Sequence, residues 1–175
     1  MIIFVTGGAR SGKSDFAQDM AEKLKGKRLF LATAQAFDEE MRHRIQEHRE
    51  DRGDRWDTVE EPIYLGRALR AAAGSYNTIL VDCLTLWMSN IIIPPLEKKG
   101  FSDEKISEIM DDFFLNINKF DGTIIIVSNE VGMGIVPDNK LARLYRDQLG
   151  FLNQKMAGAA DEVYALLSGI HVRIK

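Results

Sequence analysis

"IIFVTGGARSGKS", residues 2–14, decides how the rest of the chain is read. "IIFVT" (2–6) is a short apolar run, the pattern of a parallel strand buried on both faces. "GGARSGKS" (7–14) follows at once and matches G-x-x-x-x-G-K-[ST] on Gly7, Gly12, Lys13 and Ser14. "SDFAQDMAEKL" (14–24) then places apolar residues at 16, 17, 20, 21 and 24, which is helical spacing. A glycine-rich loop between a buried strand and a helix is the context the motif requires. Glycines let the backbone curl so that successive N–H groups point at phosphate oxygens. The helix that follows offers its positive N-terminus to the same anion. Lys13 is expected on the β- and γ-phosphates of a nucleotide and Ser14 on Mg²⁺.

Outward from this loop, strands and helices alternate. "RLFLAT" (28–33), "NTILVD" (77–82) and "GTIIIVSNE" (122–130) read as further strands. Residues 38–51, 62–72, 84–92, 103–120 and 138–159 read as helices. Pro62 is expected in the first turn of its helix, and Ser102 or Asp103 as the cap of another. "EVYALLSGIHVRIK" (162–175) reads as two strands turning at Ser168-Gly169. The alternation predicts a single α/β domain over residues 1–175, with a mainly parallel sheet closed by an antiparallel hairpin strand.

A phosphate loop needs a carboxylate on the metal side. Asp82 ends an apolar strand and fits that place, the competing reading being a plain cap for the helix at 84–92. Glu130 also follows a strand, with three roles open: metal water, substrate hydroxyl, or support of its loop. "NKFD" (118–121) matches a guanine-reading pattern, but it closes a helix instead of following a strand. "DQLG" (147–150) sits inside a helical stretch. Both are read as coincidences.

Composition narrows the class. The chain has 175 residues, 45% hydrophobic and 28% charged, with a formal net charge of −3. That size suits one domain with a sizeable core, and the acidic balance argues against a nucleic-acid partner. Cys83 is the only cysteine, which excludes an internal disulfide and suits a reducing cytoplasm. The apolar run at 123–127 is too short to span a bilayer and "NIIIPPL" (90–96) is broken by two prolines. A soluble cytoplasmic protein is expected.

"HRIQEHREDRGDRW" (43–56) mixes arginines and acids around two of the three histidines. Met41, Ile45 and His48 share one helical face. From this pattern alone His48 is a surface histidine, a buried histidine on the apolar seam, or a nucleophile flanked by counter-charges. Arg42 and Arg44 are read on the solvated face. His43 and His171 are read as residues without chemistry, and Trp56 and Trp87 as core or interface.

The blocks "VTGGARSGKS", "ATAQ…DEEMRHRIQEHREDR", "WDTVE", "VDCLTLWMSN", "SNEVGMGIVPDNKLARLYRDQLGFLNQKMAGAADEVY" and "LLSGIHVRIK" occur in this order. Over essentially the whole chain they resemble the bifunctional adenosylcobinamide kinases/adenosylcobinamide-phosphate guanylyltransferases of cobalamin biosynthesis. The resemblance implies a RecA-like P-loop fold, a homotrimer, and two reactions. ATP or GTP phosphorylates the aminopropanol hydroxyl of adenosylcobinamide. GTP then gives GMP to that phosphate through a covalently guanylylated histidine, releasing pyrophosphate. Carried over by position, the histidine is His48. Some members have two adjacent histidines here, whereas this chain has Glu47 before His48. The resemblance also implies that Gly7, Gly8, Ala9, Arg10, Ser11, Gly12, Lys13 and Ser14 hold the phosphates. Around the nucleotide it implies Ala32, Thr33, Ala34, Arg49, Glu50, Asp51, Arg52, Glu60 and Asp82. Arg49, Arg52 and Mg²⁺ are the expected counter-charges for pyrophosphate. Two other readings stand beside it: a P-loop kinase of another small molecule with no covalent step, and a RecA-like nucleotide-gated assembly module.

Overall fold

The computed structural model describes residues 1–35, Glu39, His43, Gln46, Glu50, 52–93 and 101–175. His48, Arg49 and Asp51, and most of the helix expected at 38–51, lie outside the described residues.

In chain order the elements are β1 (Ile2–Gly7), α1 (Lys13–Glu22), β2 (Arg28–Ala32), a 3₁₀ turn (Gly53–Arg55), β3 (Asp57–Glu60), α2 (Leu65–Ala72), β4 (Thr78–Asp82), α3 (Leu84–Ile92), α4 (Asp103–Lys119), β5 (Thr123–Asn129), α5 (Lys140–Ala159), β6 (Glu162–Leu167) and β7 (Ile170–Arg173). The strands form one sheet in the order β3-β2-β4-β5-β1-β6-β7. Every neighbouring pair is parallel except β6–β7, which is antiparallel. The order places β5 between β1, which leads into the phosphate loop, and β4, which ends in Asp82.

Strand side chains alternate between faces, and both faces are covered. Ile2, Phe4, Leu31, Val81, Ile124 and Ile126 pack under α2, α3, α4 and α5, together with Trp87, Phe113, Leu149 and Met156. Ile3, Val5, Leu80, Ile125 and Val127 pack under α1 through Ala17 and Ala21, with Phe30 and Trp56. Four helices on one face and the small residues of α1 on the other explain why the central strands are continuous apolar runs. Both tryptophans are core residues: Trp87 sits 4.9 Å from Phe113, ring centre to ring centre, and Trp56 lies edge-on to Phe30.

One strand appears where no element was expected, and one expectation changes. "DTVE" is a parallel edge strand, β3, whose positions are mostly exposed, so it carries no apolar run to announce it. Pro62 is not in the first turn of a helix: α2 begins at Leu65. The Glu61 carboxylate accepts from the amides of Ile63 and Tyr64 at 3.0 and 2.8 Å, which turns the chain before the helix starts. Elsewhere Ser102 caps α4 by accepting from Lys105 N, and Asn139 caps α5 by accepting from Ala142 N. The "NKFD" asparagine ends α4 and donates its amide to Phe114 O at 2.8 Å, inside its own helix.

Candidate active site

A cavity of about 490 Å³ opens at the carboxyl ends of β1, β2, β3, β4 and β5, the edge where parallel α/β sheets bind ligands. Its floor is the loop from Ala9 to Ser14. Gly12 takes φ 86° as it enters α1, a left-handed conformation that glycine adopts without strain. Gly7 faces a different constraint, since a Cβ there would run into the carbonyl oxygen of Leu166 on β6. The turn between β6 and β7 also touches the loop, through Gly169 N donating to Ser11 O at 3.1 Å.

Lys13 is nearly buried, 7% exposed, and donates its ammonium to Gly8 O at 2.6 Å. Burial pulls its pKa below the ordinary lysine value, while Cys83 and the Asp82 carboxylate pull it back up. Asp82 reaches the cavity from the end of β4. The N-cap position of α3 is Cys83, one residue past Asp82. Burial, and next the Asp82 charge, push the Cys83 thiol up to about 11. Ser14 and Asp82 both line the cavity, and their donor chemistry suits Mg²⁺. That ion takes one or two protein oxygens and fills its remaining positions with phosphate and water. Among the described residues no cluster of three or more His, Cys, Asp or Glu side chains forms a self-sufficient metal cage.

The far end of the cavity lies along the β2–β3 edge. Phe30 and Thr58 are register partners, as are Ala32 and Glu60, and all four line it with Gln18 and Arg52. The Arg52 guanidinium sits 3.5 Å from the Phe30 ring centre. The segment that returns into β3 is fastened to α1 at Glu22, whose carboxylate accepts from Arg55 at 2.8 Å and Trp56 Nε1 at 3.1 Å.

Of the residues expected on a nucleotide, Ala9, Arg10, Ser11, Gly12, Lys13, Ser14, Ala32, Ala34, Arg52, Glu60 and Asp82 line the cavity together. Thr33 does not. It is fully buried, and its hydroxyl is clamped to the main chain of Cys83, donating to Cys83 O and accepting from Cys83 N, each at 2.8 Å. A hydroxyl held by two backbone partners has little left to offer a ligand. Gly7 and Gly8 do not line the cavity: Gly7 ends β1 and Gly8 O accepts from Lys13, and Glu50 is exposed and pairs with Gln46 at 2.7 Å. His43 is exposed, and His171 stacks on Phe16 at 4.6 Å. Glu130 accepts from Gly132 N at 2.6 Å, which favours its loop-supporting role. Phe30, Thr58, Thr85 and Asn129 line the cavity unannounced. Only Asn129 had a signal, as a polar residue at the end of an apolar strand.

A phosphate loop, a strand-end carboxylate and a sheet of this order define a P-loop nucleotide-binding enzyme of RecA-like fold. The structure of a prototypical ATPase from the type III secretion system of pathogenic bacteria shares that fold, with a TM-score of 0.54 at 12% identity, over 95% of this chain and 51% of that one. The sequence profile of the cobinamide kinase / cobinamide phosphate guanyltransferase family, CobU, matches residues 3–174, and the chain belongs to that family. It is 36% identical to the bifunctional adenosylcobalamin biosynthesis protein CobU of Escherichia coli K12, covering the whole of both chains. The protein of the same name from Salmonella typhimurium LT2 is 37% identical over the whole of both chains. CobP of Pseudomonas aeruginosa PAO1 is 37% identical over 98% of this chain and 95% of its own.

Proposed function

We propose that this chain phosphorylates the aminopropanol hydroxyl of adenosylcobinamide with ATP or GTP and then converts the phosphate to adenosylcobinamide-GDP. The observation that carries the reading is a single cavity whose floor is the phosphate loop and whose wall is Asp82, in a chain of the cobinamide kinase/guanyltransferase family. In the first reaction the substrate hydroxyl oxygen attacks the γ-phosphorus, and the bond to the leaving nucleoside diphosphate breaks. The protein's part is to position and neutralise: loop amides and Lys13 on the phosphates, Ser14 and Asp82 on Mg²⁺, which supplies further positive charge when bound.

In the second reaction a neutral imidazole nitrogen of His48 attacks the α-phosphorus of GTP, and pyrophosphate leaves. The phosphate oxygen of adenosylcobinamide phosphate then attacks the same phosphorus, and the phosphorus–nitrogen bond breaks. An imidazole with a pKa of about 6.5 is nucleophilic near neutrality. Arg49 and Arg52 are assigned the pyrophosphate charge, Arg52 being in the cavity wall. The working unit in this reading is a cytoplasmic homotrimer. Met133 and Ile135, 90% and 96% exposed, offer apolar surface for a second copy to cover. Among the described residues no helix is long and apolar enough to cross a membrane.

The test is incubation with GTP alone followed by intact-mass measurement. One added GMP per chain is expected, and none when GTP is replaced by its α,β-methylene analogue. A chain that never gains GMP but phosphorylates adenosylcobinamide would be a kinase without the covalent step.

A further inference from the structure

The helix that starts in the phosphate loop ends on a carboxylate that gathers three donors. Glu22 is the last residue of α1, which begins at Lys13. One of its oxygens accepts from Gln18 Nε2 at 3.2 Å and from Trp56 Nε1 at 3.1 Å, and the other from Arg55 Nη1 at 2.8 Å. Glu22 does not line the cavity, whereas Gln18 does. Arg55 and Trp56 belong to the segment that leads into β3.

Both donors from that segment lead back to Arg52. Arg55 Nε donates to Arg52 O at 3.3 Å, which fixes the main chain from which the Arg52 side chain departs. Trp56 lies edge-on to Phe30, with ring centres 6.3 Å apart. The Arg52 guanidinium rests 3.5 Å from the centre of that same Phe30 ring, a cation–π contact. One carboxylate therefore holds the root of Arg52 through Arg55 and the seat of its charged end through Trp56. Arg52 is 4% exposed and lines the cavity. The ten residues of α1 span about 15 Å, so the helix is a spacer with the phosphate loop at one end and the anchorage of Arg52 at the other.

We propose that Glu22 is a positioning residue for the nucleotidyl step, holding Arg52 at a set place relative to the phosphate loop. This rests on the functional reading above, in which Arg52 is assigned the pyrophosphate charge. A counter-charge is effective when its place is set before the charge develops. Without Glu22 the arginine keeps its charge and loses that fixed place. Phosphorylation of adenosylcobinamide draws on the loop, Lys13 and Asp82, and does not call on Arg52.

Rates of both reactions at saturating nucleotide test this, for Glu22→Gln, Arg55→Ala, Arg52→Ala and the double variant of Glu22→Gln with Arg52→Ala. Glu22→Gln should lower kcat for adenosylcobinamide-GDP formation about tenfold, the scale of one hydrogen bond to a charged group, with phosphorylation nearly unchanged. The Arg55 side chain is 55% exposed, so Arg55→Ala keeps the fold even where Glu22→Gln does not. It should slow the same step about threefold, as suits an exposed ion pair. The double variant should be no slower than Arg52→Ala alone, because a residue that acts through Arg52 then has nothing left to position. Equal slowing of both reactions, losses that multiply in the double variant, or unchanged product formation would overturn the proposal and leave Glu22 an anchor of the β3 edge. A wild-type chain that formed no adenosylcobinamide-GDP would overturn the functional reading itself, and this inference with it.

Discussion

Lys13 donates its ammonium to the carbonyl oxygen of Gly8 at 2.6 Å, so the loop's only lysine closes across the loop that it serves. The bond gives a nearly buried ammonium an acceptor within its own loop. Lys13→Ala should lower both phosphorylation and guanylylation about a hundredfold or more, the scale of removing one preorganised donor from developing charge. Normal rates for both at saturating nucleotide would sink this. The pH dependence has a definite sign. Burial lowers the Lys13 pKa below 10.5, and bound phosphate should raise it again. Triphosphate binding should therefore take up a proton as pH rises through the lowered value, and affinity should fall across that window, as seen by calorimetry in two buffers. Without ligand the unfolded chain binds more protons there, so stability rises with pH between the lowered value and 10.5.

Asp82 ends β4 and lines the cavity, one residue before Cys83, the N-cap position of α3. Asp82→Asn should keep the fold and shift the Mg²⁺ requirement up by about ten- to a hundredfold. Activity titrated against magnesium, beside a thermal melt, measures both. An unchanged magnesium curve would return Asp82 to a structural role.

His48→Ala should abolish adenosylcobinamide-GDP formation while phosphorylation of adenosylcobinamide continues, because in the proposed mechanism only the nucleotidyl step uses a protein nucleophile. The wild-type adduct should be labile in acid and stable in alkali, as a phosphorus–nitrogen bond is. Its formation should slow as pH falls through the histidine pKa, since the imidazolium has no lone pair to attack with. The same acid-labile GMP on the variant would reassign the nucleophile, with His43 next to be tested.

Cys83, held up to about 11 by burial and by Asp82, should remain a thiol at pH 8 and alkylate slowly in the native protein. Unfolding should release it to ordinary reactivity. Because the folded pKa lies above the ordinary 9.0, its contribution to stability is present below 9 and is lost as pH climbs through about 11. Stopped alkylation at graded pH, read by intact mass, checks both statements. Rapid native labelling at pH 8 would contradict the burial that raises the thiol.

Much of the cavity floor could be read from the chain because it is contiguous. The motif from Gly7 to Ser14 is one run of consecutive residues, and the flanking strand and helix identify the loop. Asp82 was readable for a related reason, since the end of an apolar parallel strand is the end that faces ligands. The other wall was not. Phe30 and Thr58 meet as register partners on strands β2 and β3, 28 positions apart in the sequence, and β3 has no run of buried residues to mark it. The two sides of Thr33 also look alike in sequence. That its hydroxyl turns inward to Cys83 depends on β4 lying beside β2.

The sequence by itself determined the phosphate loop, the alternation of strand and helix, the closing hairpin and the carboxylate at the end of β4. Each is a local property of residues within a few positions of one another. Only the tertiary structure decided the strand order, and with it that β5 runs between loop and carboxylate and sets Asn129 beside Gly7. Parallel pairing joins residues separated by whole helices, and the hydrogen bonds that choose a neighbour belong to the backbone, which every residue has in common.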